Sequence, residues 1–362
     1  MINKTVFSIL LIYSTGLFST SMDRVEINFD DEIRHYLIYK PQQISSEPID
    51  LVVGLHGYTG TASGFESETT GGFNVSADKY NFIAIYPQGS FFYESQIFRG
   101  IKTDYVSSWN DLTGSKTKTP TGETCALDAI KYVKYKNCDL NEAGRCAWAS
   151  CGDDIGFIKK IIDDIKKINN IRNVYVVGMS NGGMMAHAFA CKHSEILKGV
   201  INVGGAPHLG LNCIPKKPLN YIIYAGIKDD VVPPIKIQSF DKYFYEPMES
   251  ITNQWSDSFE CKEKKSIYNN QNDTIEEKIF YNCKNNVQII SLLNMDRGHT
   301  WPGIDDRNAG NCRTSTQNDI FFNKCKEFIN KWGNEYLLDK LFNTSYWMNT
   351  LEIIVNKGII NL

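Results

Sequence analysis

Short runs rich in β-branched and aromatic residues recur at 33–39, 50–56, 82–86, 174–178, 199–203, 221–225 and 287–293, and each predicts a strand. Several are apolar almost without interruption, as expected of strands covered on both faces. Helical spacing lies between them. Ile158, Ile161, Ile162 and Ile165 fall at i, i+3, i+4 and i+7 behind Asp153 and Asp154, two carboxylates at the end where the helix dipole favours negative charge. Phe321, Cys325, Phe328 and Trp332 repeat that period in a second helix, capped by Ser315 or Thr316. Strands alternating with helices predict an α/β protein: a mostly parallel sheet with helices on both faces.

The ends and one internal stretch break this pattern. Residues 1–21 read as a signal peptide, with Lys4, an apolar run over 6–18, and small Ser19 and Ser21 before the cleavage point. That run falls short of the roughly 20 apolar residues that span a bilayer, and no later segment supplies them. Residues 113–151 are polar and carry four cysteines, so they predict a stapled surface insertion within one domain spanning 22–334. Residues 335–362 read as a tail in which Asp339, Lys340, Glu352 and Lys357 interrupt the apolar positions, against a lipid-anchor signal.

Composition adds two exclusions and a compartment. With 42% apolar residues, 12% aromatic and 22% charged, the 362-residue chain has material for a large core and is not intrinsically disordered. A net charge of −3 supplies no basic excess for phosphate, so neither nucleic acid nor an anionic membrane surface is expected as a partner. All ten cysteines follow residue 21, an even number that fits an oxidising compartment and a secreted, extracellular protein. Irregular spacing without any C-x-x-C pair argues against a zinc site, and no cofactor is expected. Sequons at Asn74, Asn272 and Asn343 are compatible with glycosylation.

The chemistry is concentrated at Gly178-Met-Ser180-Asn-Gly182-Gly183, set between an apolar strand and a helix of small residues. In that context G-x-S-x-G forms a sharp turn that lifts a nucleophilic serine above the sheet at a helix N-terminus. On such a fold the acid and the histidine follow the serine in the chain. Among six histidines, His35 and His56 precede Ser180, His187 and His193 sit on its helix, and His208 precedes every convincing acid, which leaves His299. Asp229 and Asp230 both follow the strand at 221–225 as candidate acids. The oxyanion requires two backbone N–H donors: Asn181 after the nucleophile, and Tyr58 in the turn Leu55-His56-Gly57-Tyr58, where His56 is expected to hold the loop.

Taken in order, the motifs Leu55-His-Gly-Tyr-Thr-Gly60, Tyr86-Pro-Gln-Gly89, Ser108-Trp-Asn110, Asp153-Asp-Ile-Gly-Phe157, the Ser180 turn, Asp229 with Val232-Pro233, and Gly298-His-Thr-Trp-Pro-Gly303 resemble one family. It is the secreted α/β-hydrolases that include polyhydroxybutyrate depolymerases, feruloyl esterases and acetylxylan esterases. The resemblance spans roughly residues 25–333 and implies an α/β-hydrolase fold with Ser180, Asp229 and His299 as catalytic triad. It also suggests disulfides Cys191–Cys213 and Cys261–Cys283, while nearness in sequence suggests Cys312–Cys325. The four cysteines from Cys125 to Cys151 allow three pairings. Two departures stand out: the family often has Cys where this chain has Tyr58, and the insertion to Cys151 replaces a compact segment.

These residues imply a secreted serine carboxylic-ester hydrolase acting through an acyl-enzyme, on a feruloyl or acetyl ester of plant-wall polysaccharide. A hydroxyalkanoate polyester is the second substrate class, and a serine peptidase a third reading. A non-catalytic recognition module on the same fold is the alternative of another kind, and it has no need of an intact triad. Trp109 and Trp301, with Tyr58 and Tyr86, are candidates for an aromatic wall against a phenolic or sugar ring; packing beneath loops is their competing role.

Overall fold

The computed structural model describes residues 22–42, 47–68, 72–98, 101–113, 118–132, 138, 146, 148–304 and 332–342. The expected signal peptide, the helix expected before Trp332, and Cys312 and Cys325 lie outside them.

In chain order, the hairpin β1 (Asp23–Phe29) and β2 (Glu32–Tyr39) is followed by β3 (Ile49–Leu55), α1 (Ala62–Glu68), α2 (Gly72–Tyr80) and β4 (Phe82–Pro87). A second hairpin, β5 (Ser90–Phe98) and β6 (Ile101–Ser108), precedes the short pair β7 (Lys118–Thr119) and β8 (Gly122–Glu123) in the insertion. Next come α3 (Asp154–Ile168), β9 (Ile171–Met179), α4 (Asn181–His193), β10 (Gly199–Val203), β11 (Asn220–Gly226) and α5 (Met248–Ser258). The series closes with β12 (Glu263–Asn269), β13 (Ile275–Tyr281), β14 (Ile289–Asn294) and α6 (Trp332–Phe342).

Ten strands form one sheet in the order β1-β2-β4-β3-β9-β10-β11-β14-β13-β12. The six from β4 to β14 run parallel, and an antiparallel hairpin is added at each edge. Strand alternation feeds two cores. Leu51, Val53, Val174 and Val176 face α3, α4 and α5 with Phe157, Ile161, Phe189 and Trp255. Val52, Tyr175 and Val177 face α1, α2 and α6 with Phe65, Phe73, Leu337 and Leu338 on the other side. The mostly parallel sheet covered on both faces is thus present. The apolar spacing of 158–165 is the buried stripe of α3, with Asp153 as N-cap accepting from Gly156 N at 2.8 Å.

The domain boundary expected at residue 334 is corrected: α6 runs across it to Phe342 and buries Leu337, Leu338 and Leu341. Its charges are partnered, since Lys340 Nζ lies 2.6 Å from the buried Glu277 carboxylate and Tyr80 donates to Asp339. Among the described residues four disulfides join Cys125–Cys146, Cys138–Cys151, Cys191–Cys213 and Cys261–Cys283, so the two pairings drawn from resemblance are present and the insertion is stapled twice. Among the described residues no helix is long and apolar enough to cross a membrane.

Leu338→Ala should therefore cost about 2–5 kcal/mol of unfolding free energy, read from denaturant titration. Burial also lowers His187 to about 4 and His208 to about 3. The unfolded chain takes up these protons first as pH falls, so this contribution is complete above ~6.5 and is lost from there down to the folded values. The urea midpoint should fall less steeply between about pH 6.5 and 4.5 in His208→Phe than in the parent; parallel slopes would count against a neutral buried His208.

Candidate active site

The site stands at the carboxyl ends of the parallel strands, where an α/β sheet presents its loops. Ser180 follows β9 directly, with φ +56° and ψ −124°, a conformation costly for a side chain that bears a Cβ. Two absent side chains permit it. A Cβ on Gly178 would strike the Gly182 carbonyl, and one on Gly182 would strike the carbonyls of Leu55 and His56 at the end of β3. The turn is fastened by Ser180 N–H donating to Val203 O at 2.8 Å and Met184 N–H donating to Ser180 O at 2.9 Å. The nucleophile candidate is 6% exposed.

Asp229 lies three residues past β11. Its Oδ1 accepts from Val231 N and Val232 N, both at 2.8 Å, which leaves Oδ2 to bond His299 Nδ1 at 2.6 Å. Asp229 thus holds the imidazole by Nδ1, and Asp230 is not the residue paired with it. Gly204 and Gly205 join the parts: a Cβ at Gly204 would sit 3.4 Å from the His299 ring, and one at Gly205 would sit 2.5 Å from Ser180 O. One glycine turn after β10 therefore touches both the serine and the Asp–His pair.

The loop carrying His299 is anchored from several directions. Arg297 makes a two-pronged pair with Asp273, both contacts at 2.8 Å, and Lys228 N–H donates to Arg297 O at 3.0 Å. Trp301 is 3% exposed, donates from Nε1 to Asn334 Oδ1 of α6 at 2.8 Å, and packs edge-on against Phe65 and Phe73. Trp109 has no exposure, and its Nε1 donates to His56 O at 2.8 Å. Both tryptophans are packing residues under the site's loops, so the expectation that they form a substrate wall is corrected. Burial of Tyr86 in the core completes that picture.

The oxyanion candidates sit against the serine. Gly57 is close enough that its missing Cβ would be 3.3 Å from Ser180 Cβ, which brings the following Tyr58 peptide beside the nucleophile. His56 holds this loop as expected: its Nε2 accepts from Gly89 N at 3.0 Å, so Nδ1 carries the proton and donates to Gly57 O at 2.8 Å. Asn181 opens α4 with no exposure, and its side chain clasps Trp109, accepting from Trp109 N at 2.7 Å and donating to Trp109 O at 3.2 Å. Asp111, two residues on, is buried beside Asn181 and pushed up to about 6 by desolvation. Sequence reasoning did not single it out, because nothing local marks an Asp as buried. The Asp154 carboxylate ties α3 to the same loop, accepting from Asn110 N at 2.7 Å and pairing with Arg34 at 2.7 Å.

Among the described residues, one group of metal-ligand atoms lies within 4.8 Å of one another: His187, Cys191 and Cys213. The two sulfurs are bonded to each other, which leaves a single imidazole and no ligand set.

Comparison with known proteins agrees with this architecture. A family model for the alpha/beta hydrolase fold matches residues 120–220. The chain is 23% identical over 209 residues to feruloyl esterase B of Neurospora crassa, an alignment covering 58% of this chain and 56% of that protein. The chain therefore spans little more than half the length of that curated relative. Among solved structures it superposes on an acetyl xylan esterase from Aspergillus awamori with a TM-score of 0.51 at 16% identity, covering 77% of this chain and 95% of that one. The fold is that of the α/β-hydrolases.

Gly182→Ala should leave little folded, active protein, because two backbone carbonyls occupy the space of the new methyl. Trp301→Ala should lower unfolding stability by about 3–5 kcal/mol, read from denaturant titration; an unchanged midpoint would refute the packing role.

Proposed function

We propose that this chain, a protein of the α/β-hydrolase fold, is a secreted serine carboxylic-ester hydrolase. The observation that carries the reading is the 2.6 Å bond from His299 Nδ1 to Asp229, set across the Gly204–Gly205 turn from Ser180 on its strained elbow. With Nδ1–H engaged by Asp229, His299 Nε2 is the free base. It takes the Ser180 hydroxyl proton as Oγ attacks the ester carbonyl, and the oxyanion is received by the N–H groups of Asn181 and Tyr58. Collapse breaks the bond to the alcohol, which leaves with the proton from His299 and yields an acyl-Ser180 intermediate. Water then repeats the sequence and releases the acid.

Similarity to proteins named feruloyl esterase and acetyl xylan esterase supports a feruloyl or acetyl ester of polysaccharide as substrate. Four disulfides among the described residues fit an oxidising, extracellular setting. An intact nucleophile, base and acid in one site favour catalysis over a recognition module.

Ser180→Ala and His299→Ala should each lower kcat by ~10⁴-fold or more on a panel of feruloyl, acetyl and hydroxybutyrate esters, without moving the unfolding midpoint much. Retained turnover in folded His299→Ala protein would sink the triad. Faster cleavage of hydroxybutyrate oligomers than of sugar esters would make the protein a polyester depolymerase, and equal cleavage of an ester and its matching amide would make it a peptidase.

A further inference from the structure

The loop from His56 to Gly60 is fastened on its inner side by backbone and buried polar groups. Thr59 N–H donates to Ser107 O at 2.8 Å, Ser107 donates to Gly60 O, and His56 holds Gly57 O. Its outer side is different. The Tyr58 ring is half-buried against two aromatic residues of the stapled insertion, with ring centres 5.6 Å from Tyr132 and 5.3 Å from Trp148. Those two rings touch each other at 5.5 Å, and both meet Tyr243 edge-on.

This aromatic block is itself well anchored. Tyr132 Oη donates to the buried Asp241 carboxylate at 3.0 Å, and Tyr243 Oη donates to Ile130 O at 3.1 Å. Backbone bonds from Ala126 N to Lys242 O and from Ile130 N to Asp241 O lace the insertion to the segment that follows Asp229. Cys125–Cys146 and Cys138–Cys151 close the insertion around Trp148. Trp148 Nε1 makes no hydrogen bond among the described residues, where the ring packs against Tyr58, Tyr132 and Tyr243. The chain's two departures from the resembling family, Tyr58 and the long insertion, thus meet in one contact.

We propose that Tyr132 and Trp148 are positioning residues for the oxyanion hole: the disulfide-closed insertion presses on the Tyr58 ring and so fixes the backbone N–H of Tyr58 toward Ser180. The inference rests on the hydrolase reading for its catalytic meaning, and the contact itself does not. Aromatic packing of this kind is directional as well as apolar. An oxyanion donor is worth about 10²–10³ in kcat, so loosening it without removing it should cost about 10–100-fold.

The test uses the full chain with Trp148→Ala, Tyr58→Ala, the double variant and Trp148→Phe. Hydrolysis of an aryl ester is measured beside amide hydrogen exchange of peptides over residues 55–62 and 174–186. In Trp148→Ala, kcat should fall about 10–100-fold with KM within about threefold. Exchange should quicken over 55–62 and stay unchanged over 174–186. Tyr58→Ala keeps its N–H and should lose as much, the double variant should lose little more than either single one, and Trp148→Phe should keep most activity. Unchanged kcat in a folded Trp148→Ala protein, a loss confined to KM, additive losses, or unchanged exchange over 55–62 would overturn the proposal. Absence of ester hydrolysis by the parent would sink the hydrolase reading, while the exchange of residues 55–62 still decides the contact. If Trp148→Ala does not fold, Tyr58→Ala removes the other half of the same contact and carries both readouts.

Discussion

Everything at the site depends on how closely helix α4 approaches the end of β3. Gly182 lies where any methyl group would meet the carbonyls of Leu55 and His56, and Gly178 lies where one would meet Gly182. That approach is available only to a backbone without Cβ atoms. Because of it, the Ser180 turn and the His56–Gly60 loop share one small volume, and Gly57 rests against the serine. A steric allowance of two hydrogen atoms in place of methyls thereby sets how near the Ser180 turn lies to the Gly57–Tyr58 peptide.

The other parts are fixed by a different kind of force. Asp229 spends one carboxylate oxygen on two backbone N–H groups and offers the other to His299, so its orientation is held by the backbone as well as by the histidine. His56 uses both ring nitrogens on backbone groups, and this prescribes its tautomer and excludes it from acid–base work. The two histidines thus differ in their partners, backbone groups for His56 and a carboxylate for His299.

Much of this was legible in the sequence because the signals were local. The apolar runs at 174–178 and 221–225 end in Gly-Met-Ser and in Asp229, so strand ends and chemistry could be placed together. The helical stripe from Ile158 to Ile165 was equally direct. Trp109 and Trp301 misled because an aromatic residue beside a site reads the same whether it faces the cleft or the core; burial is a property of the assembled loops. The α6 boundary had a signal that charge obscured: Asn334, Leu337, Leu338 and Leu341 keep helical spacing, and Asp339 and Lys340 find partners in Tyr80 and Glu277 far along the chain. The pairing within the insertion was not legible, since four nearby cysteines carry no order of their own.

The Arg297–Asp273 pair gives the outer edge of the sheet an unexpected status. Asp273 sits in the turn between β12 and β13, the outermost hairpin, yet through Arg297 and Asn294 it grips the segment that delivers His299. An edge turn is ordinarily where a sequence drifts freely, gains residues or accepts a fused peptide. Here the tip carries a mechanical connection to the histidine, so lengthening it would be transmitted inward to the loop that follows β14, the next strand in the sheet.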